Sequence, residues 1–286
     1  MLTHISKETF ATVLKNSSTR CTFYNEIKIA ESQNYESYNW ISGDAEKIFH
    51  KNMQDPVRRE RLISNGFADQ DGNCTNNITY KINKQGFRSQ EFSAEPGIAC
   101  FGCSYTYGIG LPEEHTWTGL LSDLTNLPTY NLGTPAFGLD LGAFYAVNWL
   151  DQDLPNLKAI CALAPPPDRT AVLAYSSQTK NLQLQTIKSQ FQDHDRIKPE
   201  CLDDYITMIH LTGIMSHQYA VNVLKYIAKA RDIPFILIDG KNNLQKRIFL
   251  PTDTNARDLA HWGVNINRNL SNHIYKVLSR IKKYNK

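Results

Sequence analysis

No stretch of this sequence approaches the run of about 18 apolar residues that a membrane-spanning helix needs. The first residues, Met1-Leu2-Thr3-His4-Ile5-Ser6-Lys7-Glu8, lack the apolar core of a secretory signal. The six cysteines (Cys21, Cys74, Cys100, Cys103, Cys161, Cys201) show no disulfide-framework spacing. These absences predict a reducing, cytoplasmic setting without a membrane partner, and they leave a virion or host-delivered location open. Charge of one sign is also scarce. The 31 Lys and Arg against 28 Asp and Glu give a formal net charge of +3, too little to argue for a nucleic-acid partner. The basic tail from Arg280 to Lys286 reads as a solvated helix end that favours the macrodipole. No His/Cys/Asp/Glu cluster has metal-ligand spacing, so no metal and no cofactor is predicted. Cys100-x-x-Cys103 invites a redox or zinc reading, but no second close pair and no nearby His accompany it.

What is present is a chain of 286 residues, long enough for one large domain with an extension. Residues 1–95 do not follow a repeating βα pattern and read as an N-terminal extension packing on the core. A short helix from Ser6 through Leu14, helical stretches from Tyr35 to Ile63 broken at Ser42-Gly43 and Asp55-Pro56, and a strand from Ile78 to Asn83 are predicted there. From residue 96 to 286 the pattern is regular. Apolar runs Ile98 to Phe101, Thr129 to Leu132, Leu157 to Leu163 and Phe235 to Ile238 read as buried strands. Helices are predicted near His115 to Asn126, Leu139 to Leu150, Leu202 to Arg231 and Val264 to Ile281. The polar region Thr170 to Pro199 reads as part helix and part loop, and Lys241 to Asn255 as loop. Strands alternating with helices predict an α/β fold, a parallel sheet covered on both faces.

Two stretches carry chemistry. Gly102-Cys103-Ser104 closes the first strand of this series, and a helix follows shortly after. A serine at the carboxyl end of a buried strand sits where α/β proteins place nucleophiles. Near the other end, Asp258-Leu259-Ala260-His261 lies in a loop before the last helix. An Asp three residues before a His can hold one ring nitrogen and leave the other to face a serine.

Gly102-Cys103-Ser104-Tyr105-Thr106-Tyr107-Gly108 resembles the first block of the SGNH (GDSL-type) hydrolases, Gly-Asp-Ser-x-Thr-x-Gly, with Cys103 where Asp is usual. Asn131-Leu132-Gly133-Thr134-Pro135-Ala136-Phe137-Gly138 resembles the second block, and Asp258-x-x-His261 the last. The third block, Gly-x-Asn-Asp, is missing; Ala164-Pro165-Pro166-Pro167-Asp168-Arg169 stands in its place. The resemblance implies a three-layer α/β sandwich with a flavodoxin-like sheet. It also implies a serine esterase with Ser104 as nucleophile, His261 as base and Asp258 as its orienter. The oxyanion hole would use the N–H groups of Ser104 and Gly133, with Asn131 or Arg169 as a further donor. Arg88, Tyr105, Arg169 and Trp262 are candidate substrate contacts, with a structural pairing to a carboxylate as the alternative for Arg88 and Arg169, and Asp168 is a candidate helix cap. The substrate class is a small-molecule or carbohydrate ester with a short acyl group, O-acetyl first. An acyltransferase on the same triad and a non-catalytic glycan-binding or assembly protein are the alternatives, with a thiol-redox protein at Cys100 and Cys103 behind them.

Overall fold

The computed structural model describes residues 6–8, 10–11, 36–41, 43–75, 78–167, 169–176, 181–186, 202–239 and 256–281. Asp168, the expected loop Lys241 to Asn255, residues 12–14 of the first expected helix and residues 282–286 of the tail lie outside this set. In chain order the elements are β1 (Glu36–Tyr38), α1 (Glu46–Met53), α2 (Pro56–Ser64), β2 (Tyr80–Ile82), β3 (Gly97–Gly102), α3 (Ser104–Tyr107), α4 (Trp117–Thr125), β4 (Thr129–Gly133), α5 (Leu139–Asp153), β5 (Leu157–Ala164), β6 (Ala171–Ser176), β7 (Asn181–Thr186), α6 (Leu202–Ala230), β8 (Phe235–Asp239) and α7 (Val264–Arg280).

The central sheet has four parallel strands in the order β4-β3-β5-β8. Counted along the chain this is 2-1-3-4, the flavodoxin-like order. Strand side chains alternate between faces, and each face has its own core. Ile98 and Cys100 of β3, with Ala159, Cys161 and Leu163 of β5, pack with Trp117 and Leu121 of α4 and with Leu270, Ile274 and Leu278 of α7. Ala99 and Phe101, with Ile160 and Ala162, face α5 and α6 through Ala143, Ala146, Ala220 and Leu224. The fold is therefore a helix–sheet–helix sandwich, and the near-continuous apolar strands follow from having both faces covered.

The extension forms a third core. Ile41, Phe49, Leu62, Tyr80 and Ile82 pack with Tyr107, Ile109, Leu111 and Ala256, which lie beyond residue 96. Here the break at Asp55-Pro56 is a helix start: the Asp55 carboxylate accepts the N–H groups of Val57 and Arg58, at 3.0 and 3.1 Å. Residues 36–38 are a strand paired antiparallel with β2, where helix was expected.

The region 170–199 differs more. Its described residues form an antiparallel hairpin, β6 with β7, in place of the expected helix and loop. The alternation in Asn181-Leu182-Gln183-Leu184-Gln185-Thr186 is a period-two signal that outweighs the polarity of the segment.

Candidate active site

Strand β3 ends at Gly102 and α3 begins two residues later at Ser104, at the carboxyl edge of the sheet. The register pairs Gly102 with Gly133, so the loop after β4 leaves from the same edge. Ser104 is 5 % exposed and occupies the first position of α3. N–H groups at that end of a helix have no intrahelical acceptor and point at whatever lies in front.

The acid–base loop is held from several directions. It closes on itself through Ala256 N–H to His261 C=O at 3.1 Å and Leu259 N–H to Ala256 C=O at 2.8 Å. The Asp258 carboxylate accepts the N–H groups of Ala260 and His261 through Oδ1, at 3.3 and 3.2 Å. Its Oδ2 meets His261 Nδ1 at 2.6 Å. With one ring nitrogen held, Nε2 is the nitrogen left for chemistry. The Asp258 side chain is buried, and that of His261 is 17 % exposed.

The two stretches meet through Tyr105. Its ring centroid lies 5.1 Å from that of His261 and 4.1 Å from that of Trp262, stacked on the latter. Tyr105 directly follows Ser104, so the chain brings the serine corner and the histidine loop to one place. No hydrogen bond between Ser104 and His261 is formed among the described residues. Burial raises the Tyr105 phenol above its ordinary range, helped by Cys103 and Asp258 and opposed by the Arg169 charge. Arg169 is therefore within electrostatic reach of Tyr105; it is half-buried, and its carbonyl abuts Gly138, where a Cβ would come within 2.4 Å of it.

Three expectations change, at Arg88, Gly133 and Asn131. Arg88 is not at the mouth of the cleft. It is fully buried, and its guanidinium donates to the carbonyls of Tyr107, Gly108 and Leu111 at 3.1, 2.6 and 2.8 Å, with Tyr80 beneath it at 4.4 Å. It fixes the loop after α3. Gly133 does not present its N–H to the cleft, because that group donates to Asn131 Oδ1 at 3.0 Å. Asn131 is likewise committed: its Nδ2 donates to the Thr106 carbonyl at 2.8 Å, tying β4 to α3. Gly133 is still required there, since a Cβ would meet Tyr107 N at 2.4 Å. Cys100 is fully buried, and burial pushes its thiol well above the ordinary range, with Cys161 adding to the effect. That removes it as a reactive thiolate.

Residues that local pattern did not reveal complete the site. Arg257 donates to Asp44 from Nε and Nη2, the shortest contact being 2.6 Å, and each residue is 1 % exposed. The Trp40 ring lies 3.8 Å from the guanidinium carbon. Burial works against the Arg257 charge, but the Asp44 hydrogen bonds and charge outweigh it, and its pKa is raised. Tyr80 donates to Asp44 at 2.6 Å and accepts the Gly110 N–H at 2.9 Å, while the Gly110 carbonyl accepts the Arg257 N–H at 2.9 Å. The ring of contacts Asp44–Tyr80–Gly110–Arg257 thus joins the extension, the loop after α3 and the acid–base loop. Gly110 has φ +75°, and a Cβ there would sit 2.8 Å from that of Ala256 and 3.1 Å from Asp258 Oδ1. Asn52 of α1 adds a bond to the Asp258 carbonyl at 3.3 Å. A further strained residue, Ala136 at φ +69°, lies on the exposed turn after β4, closed by Phe137 N–H to Thr134 C=O at 3.2 Å.

No group of three or more His, Cys, Asp or Glu that could hold a metal occurs among the described residues. No helix among them is long and apolar enough to cross a membrane.

No model of a known protein family matches the chain, and no curated protein matches it significantly. Among solved structures it is similar to a G-D-S-L family lipolytic protein from Desulfitobacterium hafniense, at 12 % identity over 63 % of this chain and 98 % of that one, with a TM-score of 0.31. It is similar to an aryl esterase of M. smegmatis at 15 % identity over 65 % of this chain and 99 % of that one, TM-score 0.33. A carbohydrate acetylesterase from Sinorhizobium meliloti matches at 14 % identity over 65 % and 99 %, TM-score 0.32.

Proposed function

We propose that this protein is a serine ester hydrolase that cleaves short acyl esters, O-acetyl groups on carbohydrate being the leading class, through an acyl-enzyme on Ser104. The observation that carries the reading is the Asp258–His261 pair at 2.6 Å, set beside Tyr105 and therefore beside the serine corner. Ser104 Oγ attacks the ester carbonyl and passes its proton to His261 Nε2. Asp258 holds the ring and steadies the imidazolium that forms. The alcohol leaves with that proton, and water repeats the sequence to free the acid.

The oxyanion needs donors. The Ser104 N–H at the start of α3 is one. With Gly133 and Asn131 committed elsewhere, the second backbone donor we assign is the Ala136 N–H, on the exposed turn at the same sheet edge. Arg169 supplies positive charge near Tyr105. Arg169→Ala is therefore expected to lower kcat on p-nitrophenyl acetate by about a hundredfold, with KM changed by no more than about twofold. An unchanged kcat would make Arg169 a loop-shaping residue only.

A second reading, a glycan-binding protein with little or no turnover, is favoured by one observation: the Gly133 N–H and the Asn131 carboxamide are both used internally. Covalent labelling with a fluorophosphonate probe separates the two. Labelling of the wild type and none of Ser104→Ala supports the hydrolase; an unlabelled, correctly folded wild type supports the binding protein.

A further inference from the structure

A cavity of about 550 Å³ lies between the N-terminal turn and the amino edge of the sheet. Ser93 and Ala94, just before β3, and Pro155, just before β5, belong to its wall. It is thus at the opposite end of the strands from Ser104. The volume is that of a small-ligand site. We propose that this cavity binds a neutral polyhydroxylated ligand, one sugar unit, at a site separate from the candidate active site.

The charges lining the cavity balance, Lys7 and Lys84 against Glu8 and Asp153. Lys7 and the Tyr145 hydroxyl both contact the Asp153 carboxylate. Lys84 faces Glu91, with Nζ 4.0 Å from Oε2, and its N–H donates to Oε1 at 3.1 Å. With two cations and two anions in the lining, a net charge on the ligand gains little there. What remains is neutral chemistry. Gln85 is 5 % exposed; its Nε2 reaches Asp153 Oδ1 at 3.5 Å, while its Oε1 has no partner among the described residues. A buried carboxamide oxygen left without a donor is costly, so a ligand that brings a hydroxyl there is favoured. Ammonium groups keep donors to spare after one carboxylate contact, and Lys7 and Lys84 can give theirs to hydroxyl oxygens. The Phe92 ring, with Ala11, Ala94 and Pro155, supplies the apolar wall on which the C–H face of a sugar ring rests. Hydroxyls that both donate and accept, on a ring with an apolar face, match this lining; a phosphate, which brings charge and no donor for Gln85, does not.

The test is an NMR titration of the full chain with methyl β-D-glucopyranoside, which carries no ester. Saturable shifts with a dissociation constant of about 1–10 mM are expected for the wild type and for Ser104→Ala. Gln85→Leu and Phe92→Ala should each weaken binding by about tenfold or more, with unchanged melting temperatures as the check on folding. Retained binding in both variants, no saturation by about 50 mM, or stronger binding of inorganic phosphate in the same titration would overturn the proposal. Should one variant misfold, the other decides. None of these outcomes depends on ester hydrolysis, so the proposal stands or falls independently of it.

Discussion

Ser104→Ala is expected to lower the hydrolysis of p-nitrophenyl acetate by about three orders of magnitude or more, as loss of a triad member does. The hydroxyl is the only atom removed, and the backbone N–H that would face an oxyanion stays. The residual rate therefore measures what the donors achieve without a nucleophile. Stability should hardly move, because the lost oxygen has no hydrogen bond among the described residues and the change is small and at the end of a four-residue helix. His261→Ala should fall to a similar residual rate, since serine and base act as a unit, and the double variant should be no worse than either single one. A wild-type rate in Ser104→Ala, measured on protein free of other esterases, would remove the serine mechanism.

Asp44→Ala should have the largest effect on stability. It strips the Asp44 carboxylate from a buried guanidinium that it contacts through Nε and Nη2, and removing one partner of such a pair costs about 3–5 kcal/mol. For a chain of this size that corresponds to a fall of roughly 10 °C in melting temperature. It also cuts the Tyr80 hydroxyl from its acceptor, so the loop after α3 and the acid–base loop should loosen together. Asp44→Asn keeps one acceptor oxygen for Tyr80 or Arg257 and should fall between. Replacing both Asp44 and Arg257 by apolar residues should recover part of the loss, since the buried charge then goes with its counter-ion. Thermal unfolding of the four proteins checks this; a shift of under about 2 °C in Asp44→Ala would show that the ion pair does not hold the extension to the site.

These two experiments probe parts of the site that were unequally visible beforehand. Local order in the chain marked the four core strands, because each is an apolar run bounded by turn residues and a parallel strand is buried on both faces. It marked Ser104 at the end of one such strand, and Asp258 with His261, because three residues is the spacing at which a turn lets a carboxylate reach both an N–H and a ring nitrogen. The hairpin β6–β7 went against the expected helix and loop, because the polarity of the segment masked the alternation of Leu182 and Leu184.

Partnership across the fold was not legible. Asp44 and Arg257 are 213 residues apart, and nothing in the chemistry of either side chain names the other. Arg88 had the composition of a surface cation, and only packing under Tyr80 and Tyr107 turned its donors onto three carbonyls. Asn131 and Gly133 had the residue types of an oxyanion hole, yet a side chain two residues away took the N–H that the pattern had reserved for a substrate. The sequence by itself determined the four core strands, the helices that cover them and the pair Asp258–His261, because hydrophobic periodicity and short-range hydrogen bonding are properties of neighbours along the chain. The tertiary structure decided which polar groups are spent on the fold and which are left for chemistry, because each group has few bonding positions and distant segments compete to fill them.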